Sequence, residues 1–372
     1  MQDLKNYFIA IDREYKEGDV AVFRQKFSGE NVVSAVLYST ALGVYEAELN
    51  GKKAGEQMFA PGYTYYPRRV LYQEHDVTAF LNTGSEENEL VFYLGQGWYC
   101  GRFLCENQTQ IYGEKPAVSW ILQLKFADGS EKEIHSGIDV DELESPYEYA
   151  GEYDGEIYFA DGRNNVIGNP VAYTGTTDFA LEKTLTEVRI QEEMPVKNVT
   201  VSEGKTILDF GQNFAGAVHL KMKGKAGQIV TVRHAELLID GDLCVKSLRT
   251  AKATATYVCA DGEQEYSPRL TYMGFRYIGI SGINPENITV EAFVIHSDFE
   301  EIGKFECSDP LINKLQSNIR WSGKSNFVDI PTDCPQRDER QGWTGDISVF
   351  ADTACYNFDI SRFLDKWLAD VK

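Results

Sequence analysis

The chain has 372 residues, 43% of them hydrophobic and 12% aromatic, more than one ordinary core takes up and enough for two or three packed domains. Its 57 acidic against 36 basic side chains leave a formal net charge of −21, a field that repels a phosphate backbone and argues against nucleic acid as a partner. No run approaches about eighteen apolar residues, and the N-terminal MQDLKNYFIAIDREYKEGD lacks a basic stretch leading into an apolar one, so the expectation is a soluble, cytoplasmic protein with no membrane partner.

From about residue 18 to 164 the pattern is short alternating runs divided by turn signals. VVSAVLYSTALGVYEAELNGKKAG carries Asn-Gly at 50 and 51, and NELVFYLGQGWY and VSWILQLKFADGSEKEIHSG follow. Period-two alternation punctuated by Asn-Gly and Asp-Gly predicts hairpins of an antiparallel β-sandwich. A polar connection from about Arg163 to Asp178 interrupts it, and strand-like runs resume at KTILDFGQNFAGAVHLKMKGKAGQIVTVRHAEL, continuing to ITVEAFVIH near Ser297. The aromatic clusters YTYY at 63–66 and QGWY at 96–99 read as hairpin packing. His75, His135, His219, His234 and His296 have no metal-ligand spacing, and GQGWYCG lacks a following helix signal, so neither metal nor cofactor is expected. Cys100, Cys105, Cys244, Cys259, Cys307, Cys334 and Cys355 form no CxxC pair and no disulfide framework, which fits a reducing compartment. Without secretion, the N-x-T patterns at Asn107, Asn198 and Asn287 are chance.

At CSDPLINKLQSNIRWSGKSNF the period changes. Leu311, Leu315 and Ile319 fall four apart with Ile312 beside them, and Asp309 before Pro310 is an N-cap followed by proline at the first helical position. A second helix is predicted in or just after TGDISVFADTACYN, and a third over DISRFLDKWLADVK with Asp359 as its cap. The apolar faces Leu311, Leu315, Ile319 and Phe363, Leu364, Trp367 are expected to stand exposed, which favours association with a second copy as a homo-oligomer.

Three groups of segments carry a resemblance that runs nearly end to end: YEAELNGKKAG, APGYTYYPRRVLYQEHDVT and LGQGWY first; DFGQNFAGAVHLKMKGKAG and RTAKATATYVCADGEQEYSPRLTYMGFRYIGISG next; DCPQRDERQGWTGD in the tail. Together they resemble the bacterial α-L-rhamnosidases of glycoside hydrolase family 78. The resemblance implies a mainly β chain: a β-sandwich module over 1–165, a second over 166–298, and the beginning of an (α/α)6 catalytic barrel over 299–372. It implies an enzyme that releases terminal α-linked L-rhamnose from an oligosaccharide or glycoside with inversion. Glu339 falls at the position of the general acid, and Asp333, Arg337, Trp343 and Asp346 at substrate-binding positions. Most of the barrel, with the general base, would lie beyond residue 372, so the 372 residues alone are expected to be inactive.

The residues of DIPTDCPQRDERQGWTGD fit that chemistry. Glycoside hydrolysis needs a protonated carboxyl to donate to the leaving oxygen and a second group to activate water. Asp333, Asp338, Glu339 and Asp346 lie within fourteen residues, and like charges held that close, once desolvated, push at least one pKa upward. Arg337 and Arg340 offset the cluster and can present paired donors to sugar hydroxyls or to an aspartate. Trp343 offers a flat apolar face to a 6-deoxy sugar, and Gly342 and Gly345 let the loop bend. Asp338 and Arg340 have a plainer reading, as an arginine holder or helix cap and its ion pair. The competing reading of the whole is a solvated loop on a non-catalytic carbohydrate-binding or assembly fragment.

Overall fold

The computed structural model describes residues 2–104, 108–202 and 204–372; Cys105 and Asn107 lie outside the described residues. Strands take 45% of the chain and helices 17%, so it is mainly β as expected. Two compact units are present, one of Met1–Arg102, Gln108–Gly151 and Gly162–Thr184, the other of Phe103–Asn107, Glu152–Asp161 and Leu185–Lys372.

The first unit is a sandwich. One sheet runs in the order Val171–Ala172, Ile9–Ala10, Ala117–Phe126, Val32–Leu42, Arg69–Asp76, Ala180–Lys183, and the other in the order Val166–Gly168, Asp141–Leu143, Ala21–Ser28, Glu87–Gly95, Val44–Leu49, Lys52–Lys53. The alternation that predicted these strands is the alternation of burial: Phe23, Leu90, Phe92 and Leu94 from one sheet meet Leu37, Trp120 and Leu122 from the other. Phe92 and Trp120 stack at 4.4 Å between centroids. The YTYY and QGWY segments pack together, with Tyr66 edge-on to Tyr99 at 5.1 Å and Tyr63 to Trp98 at 5.9 Å.

The second unit is built on a sheet ordered Gly155–Phe159, Thr254–Val258, Ile229–Ala235, Met273–Ser281, Lys205–Gly224, Ile288–Ser297, Val188–Met194. Its 20-residue strand Lys205–Gly224 changes register between Asp209 and Phe214. Such an irregularity bends a strand and increases its twist, and Phe210, Phe214 and Phe275 pack at the bend, fully buried. His234 is buried edge-on to Phe275, its Nδ1 2.9 Å from the Ala253 carbonyl, and burial pushes it down to about 4, as suits a structural histidine.

Not every pair is antiparallel, contrary to expectation. Gly155–Phe159 runs parallel to Thr254–Val258, and in the first unit Ala180–Lys183 runs parallel to Arg69–Asp76. Hairpin signals report only neighbours in sequence, whereas these partners are joined by long excursions, which leave the strand direction open.

Glu156, on the parallel strand, is wholly buried and accepts from Tyr266 Oη at 2.8 Å, Arg269 N at 3.0 Å and Leu270 N at 2.7 Å. Burial outweighs these donors and pushes its carboxyl from 4.5 up to about 7. The native state therefore holds a proton that the unfolded chain has released: the associated stability is complete below about 4.5 and lost as pH rises through about 7. Glu156→Gln keeps an acceptor for the two amides and lets Tyr266 turn its hydroxyl. The wild-type urea midpoint is therefore expected to fall relative to that of the variant across this window; a constant difference would contradict the assignment.

Apart from the 3-10 helix Gln2–Tyr7, helices of more than one turn occur, among the described residues, only after Asp309. Asp309 caps the first, Pro310–Asn326, accepting from Leu311 N at 2.8 Å with Pro310 in the first turn. The second is Thr344–Asn357 and the third Ser361–Val371. The expected cap, Asp359, lies one residue before the observed one: Ile360 holds that position, while Asp359 Oδ1 still accepts from Ser361 N at 3.2 Å. The first helix exposes its apolar face as expected, Leu311 at 78% and Leu315 at 58%. Phe363 and Trp367 do not follow, being 1% and 8% exposed. Phe363 packs on Phe327 at 4.8 Å and Phe299 at 6.5 Å, and Trp367 closes over Gly342, where a Cβ would come within 2.5 Å of its Nε1. Among the described residues no helix is long and apolar enough to cross a membrane.

Candidate active site

The segment Asp333–Trp343 is a loop without regular structure between the Phe327–Pro331 hairpin and the second long helix. Its backbone lies against the strand Met273–Ser281 at Gly274, where any Cβ would sit 2.8 Å from the Gln336 nitrogen. The loop is then pinned by buried charges. Arg340, fully buried, donates from Nη1 to the carbonyls of Glu152 at 3.0 Å and Tyr272 at 2.9 Å and lies over the rings of Tyr272 and Tyr153, at 4.4 and 5.4 Å. Asp338, equally buried, accepts from Thr250 N at 3.2 Å and from the Thr250 hydroxyl. Neither follows its plainer reading: Asp338 holds a threonine and not an arginine or a helix end, Arg340 donates to carbonyls and not to Asp338, and both fasten the loop.

The side chains between these pins converge on Glu339. Its Oε1 accepts from Trp343 Nε1 at 3.1 Å; its Oε2 lies 3.1 Å from Arg337 Nη2 and 2.9 Å from Arg249 Nη1. Arg337 Nη2 also reaches Asp333 Oδ2 at 3.3 Å, and Asp333 Oδ1 accepts from Gln341 N at 2.9 Å. Tyr153 Oη donates to the Glu339 carbonyl at 3.0 Å, fixing the backbone behind the carboxyl. Asp333, Arg337, Glu339 and Trp343 thus form one bonded group. Asp346 stands apart, exposed in the first turn of the second long helix; it shares with Asp333 a cleft of about 500 Å³, lined also by Phe327, Ile347 and Phe350.

The electrostatics differ from the expectation of mutual repulsion. Burial pushes the Glu339 carboxyl up, but the Trp343 N–H, Arg337 and Arg249 together outweigh it and the net direction is down. The raised carboxyls sit around it: Glu152, pushed by burial to about 8 against the pull of Arg340, and Glu236, raised by burial while Asn213 Nδ2 donates to it at 2.8 Å and Arg337 opposes. Donor atoms of Asp333, Cys334 and Glu339 lie within 4.8 Å of one another. Arg337 spans both carboxylates there, and burial pushes the Cys334 thiol up to about 12, so the negative charge is met by a guanidinium.

Arg249, Glu236, Glu152 and Tyr153 escaped sequence reasoning. The one signal, for Arg249 alone, was that RTAKATATY, which begins with it, lies in a stretch of family likeness.

The chain belongs to the bacterial α-L-rhamnosidase family: models of its N-terminal domain, concanavalin-like domain and 6 hairpin glycosidase domain match residues 30–199, 199–296 and 300–372. The helices are the first of an (α/α)6 barrel. An α-L-rhamnosidase of Streptomyces avermitilis is 41% identical over 361 residues, covering 92% of this chain and 35% of that protein. A crystal structure of the Streptomyces avermitilis α-L-rhamnosidase complexed with L-rhamnose superposes with a TM-score of 0.88 at 38% identity, covering 95% of this chain and 36% of that one. The native enzyme from Aspergillus terreus gives 0.91 at 38% identity, covering 98% and 44%. The chain thus spans about a third of the length of the Streptomyces protein.

Proposed function

We propose that this segment supplies the acid half of an inverting α-L-rhamnosidase, acting on terminal α-linked L-rhamnose when the catalytic domain is complete. The observation that carries this reading is the bonded group of Glu339, Arg337, Asp333 and Trp343. Such a group can hold a proton donor beside a flat apolar face, which is what cleavage of a 6-deoxy glycoside requires. Glu339 is the general acid, and Asp333, Arg337, Trp343 and Asp346 form the wall that binds the sugar. The Trp343 N–H, Arg337 and Arg249 hold the Glu339 carboxyl low; a sugar seated on Trp343 excludes water from Glu339 and moves it toward the protonated form. Modules 1–165, 166–298 and 299–372 are the functional divisions of this reading, although Glu152–Asp161 packs with the second compact unit and Gly162–Thr184 with the first, and the protein works in the cytoplasm.

By themselves the 372 residues do not turn over substrate. Inversion requires a base roughly 6.5–9.5 Å from the acid, across the ring, and Asp333, Asp338 and Asp346 lie on the same segment as Glu339, with Asp338 buried under Thr250. The test is a panel of aryl glycosides given to a chain carrying the complete catalytic domain. The α-L-rhamnoside is expected to be hydrolysed in preference to the others, with the β-anomer of rhamnose appearing first in the proton NMR spectrum. First appearance of the α-anomer would rule out inversion, and preference for another sugar would rule out the substrate.

A further inference from the structure

Arg249 lies 90 positions before Glu339, in the strand-rich part of the second unit, and no local pattern links the two. It ends a short turn, Lys246–Leu248, with φ 55° and ψ −114°, a conformation that costs an L residue of order 1–3 kcal/mol and persists only where the surroundings enforce it. The surroundings do so. Leu248 and Ala251 are buried on either side, Ala251 N donates to Leu248 O at 3.0 Å, Lys252 N to Asp154 Oδ1 at 3.1 Å and Ala253 N to Tyr153 O at 3.1 Å. From this anchored turn two consecutive residues grip two consecutive residues of the acid loop in opposite order, Arg249 on Glu339 and Thr250 on Asp338.

The grip is uneven at Glu339. Both guanidinium groups face Oε2, and among the described residues Oε1 meets the Trp343 indole alone. When Glu339 takes up a proton, Oε1 is the favoured oxygen, since it is the one farther from positive charge.

We propose that Arg249 is a positioning residue for Glu339, holding Oε2 so that Oε1 delivers its proton and the carboxylate left behind meets a fixed positive charge. This rests on the reading of Glu339 as the acid. In the step, the Oε1–H bond breaks as the proton passes to the glycosidic oxygen, and the bond from that oxygen to the anomeric carbon breaks with its electron pair going to oxygen; water bonds to the anomeric carbon from the opposite face and gives a proton to the base of the complete catalytic domain, and the new negative charge falls on a carboxylate paired with Arg249 and Arg337. The β unit then contributes directly to proton transfer.

The groups that face Glu339 are Arg337, Asp333 and Cys334 from its own loop, Trp343 ahead of the second long helix, Arg249 from the β unit, and Glu236 through Arg337. Of these, Arg249 can be removed without disturbing the bonds among the rest. The first measurement is made on the 372-residue chain with glutamate labelled with carbon-13 at the side-chain carboxyl; the Glu339 resonance is the one missing from Glu339→Gln. Arg249→Ala is expected to raise its titration midpoint by about half a pH unit or more, since an opposite charge at this distance lowers a carboxyl and partial exposure weakens the effect; Arg249→Lys is expected to stay near wild type. An unchanged midpoint in Arg249→Ala overturns the proposal.

The second measurement uses a chain with the complete catalytic domain and a rhamnoside with a poor leaving group. Arg249→Ala is expected to lower kcat about tenfold, the equivalent of one pH unit of acid strength, with KM little changed, and to move the alkaline limb of the profile upward. In a Glu339→Gln background the same substitution is expected to cost nothing further. Equal losses in both backgrounds overturn the proposal, because a structural role acts with or without Glu339. Full activity of Glu339→Gln itself removes the general-acid reading, and the NMR midpoints still decide whether Arg249 acts on this carboxyl.

Discussion

Glu339→Gln, in a chain with its catalytic domain complete, is expected to reduce hydrolysis of a rhamnoside with a poor leaving group by a factor on the order of 10²–10⁴. The amide keeps the size of the side chain and can still accept from Trp343 Nε1, so the loop has no steric reason to move. What it loses is the proton. A nitrophenolate leaves without protonation, so the same variant should retain far more of its rate on the nitrophenyl glycoside than on an alkyl one. The comparison between the two substrates carries the test: equal losses on both would mean that Glu339 shapes the pocket and does not donate, and small losses on both would move the acid elsewhere.

Arg340→Ala is expected to have the largest effect on stability, about 3–5 kcal/mol. Its guanidinium is buried at 0% exposure, it satisfies two buried carbonyls, and it fills the space between the rings of Tyr153 and Tyr272. Truncation leaves those carbonyls without a donor, opens a cavity and removes the positive charge that opposes the upward shift of Glu152. Arg340→Met returns volume without charge and should recover only the packing share; Arg340→Lys returns charge without the planar group that lies over both rings and should also recover only part. Urea midpoints of the three variants separate these contributions. A loss below about 1 kcal/mol for the alanine variant would show that the loop is held by Asp338 and Thr250 alone.

The fold was legible wherever one element's own pattern decided it. Asp309 and Pro310 announced the first helix because capping involves residues two positions apart, and the alternation around Phe92 and Trp120 announced the sandwich because each strand carries its own burial. Legibility failed where a distant partner decided. Phe363 and Trp367 read as half of a barrel wall, yet Phe299, Phe327 and Gly342 already cover them. The acid block gave the residue types of the site and misled on its charge, since counting carboxylates along the loop omits Arg249, which arrives from 90 residues upstream. Arg340 looked like one more solvated charge because nothing in its neighbourhood reveals Tyr153 or Tyr272.

The strand Gly155–Phe159 belongs to the second unit, yet Gly162–Thr184, which follows it, returns to the first. Its parallel partner, Thr254–Val258, emerges from the ribosome about a hundred residues later. Through that interval the nascent chain carries an unpaired edge bearing Glu156, none of whose three donors has yet been made. An edge kept waiting is an invitation to pair with another chain. A genetic cut at Thr184 would be worse, because it would deliver a second unit from which that strand, Glu152 and Tyr153 have all been deleted. The two units are therefore one inheritance: shuffling them between proteins requires exchanging both together, or grafting the ten-residue stretch Glu152–Asp161 with the C-terminal piece.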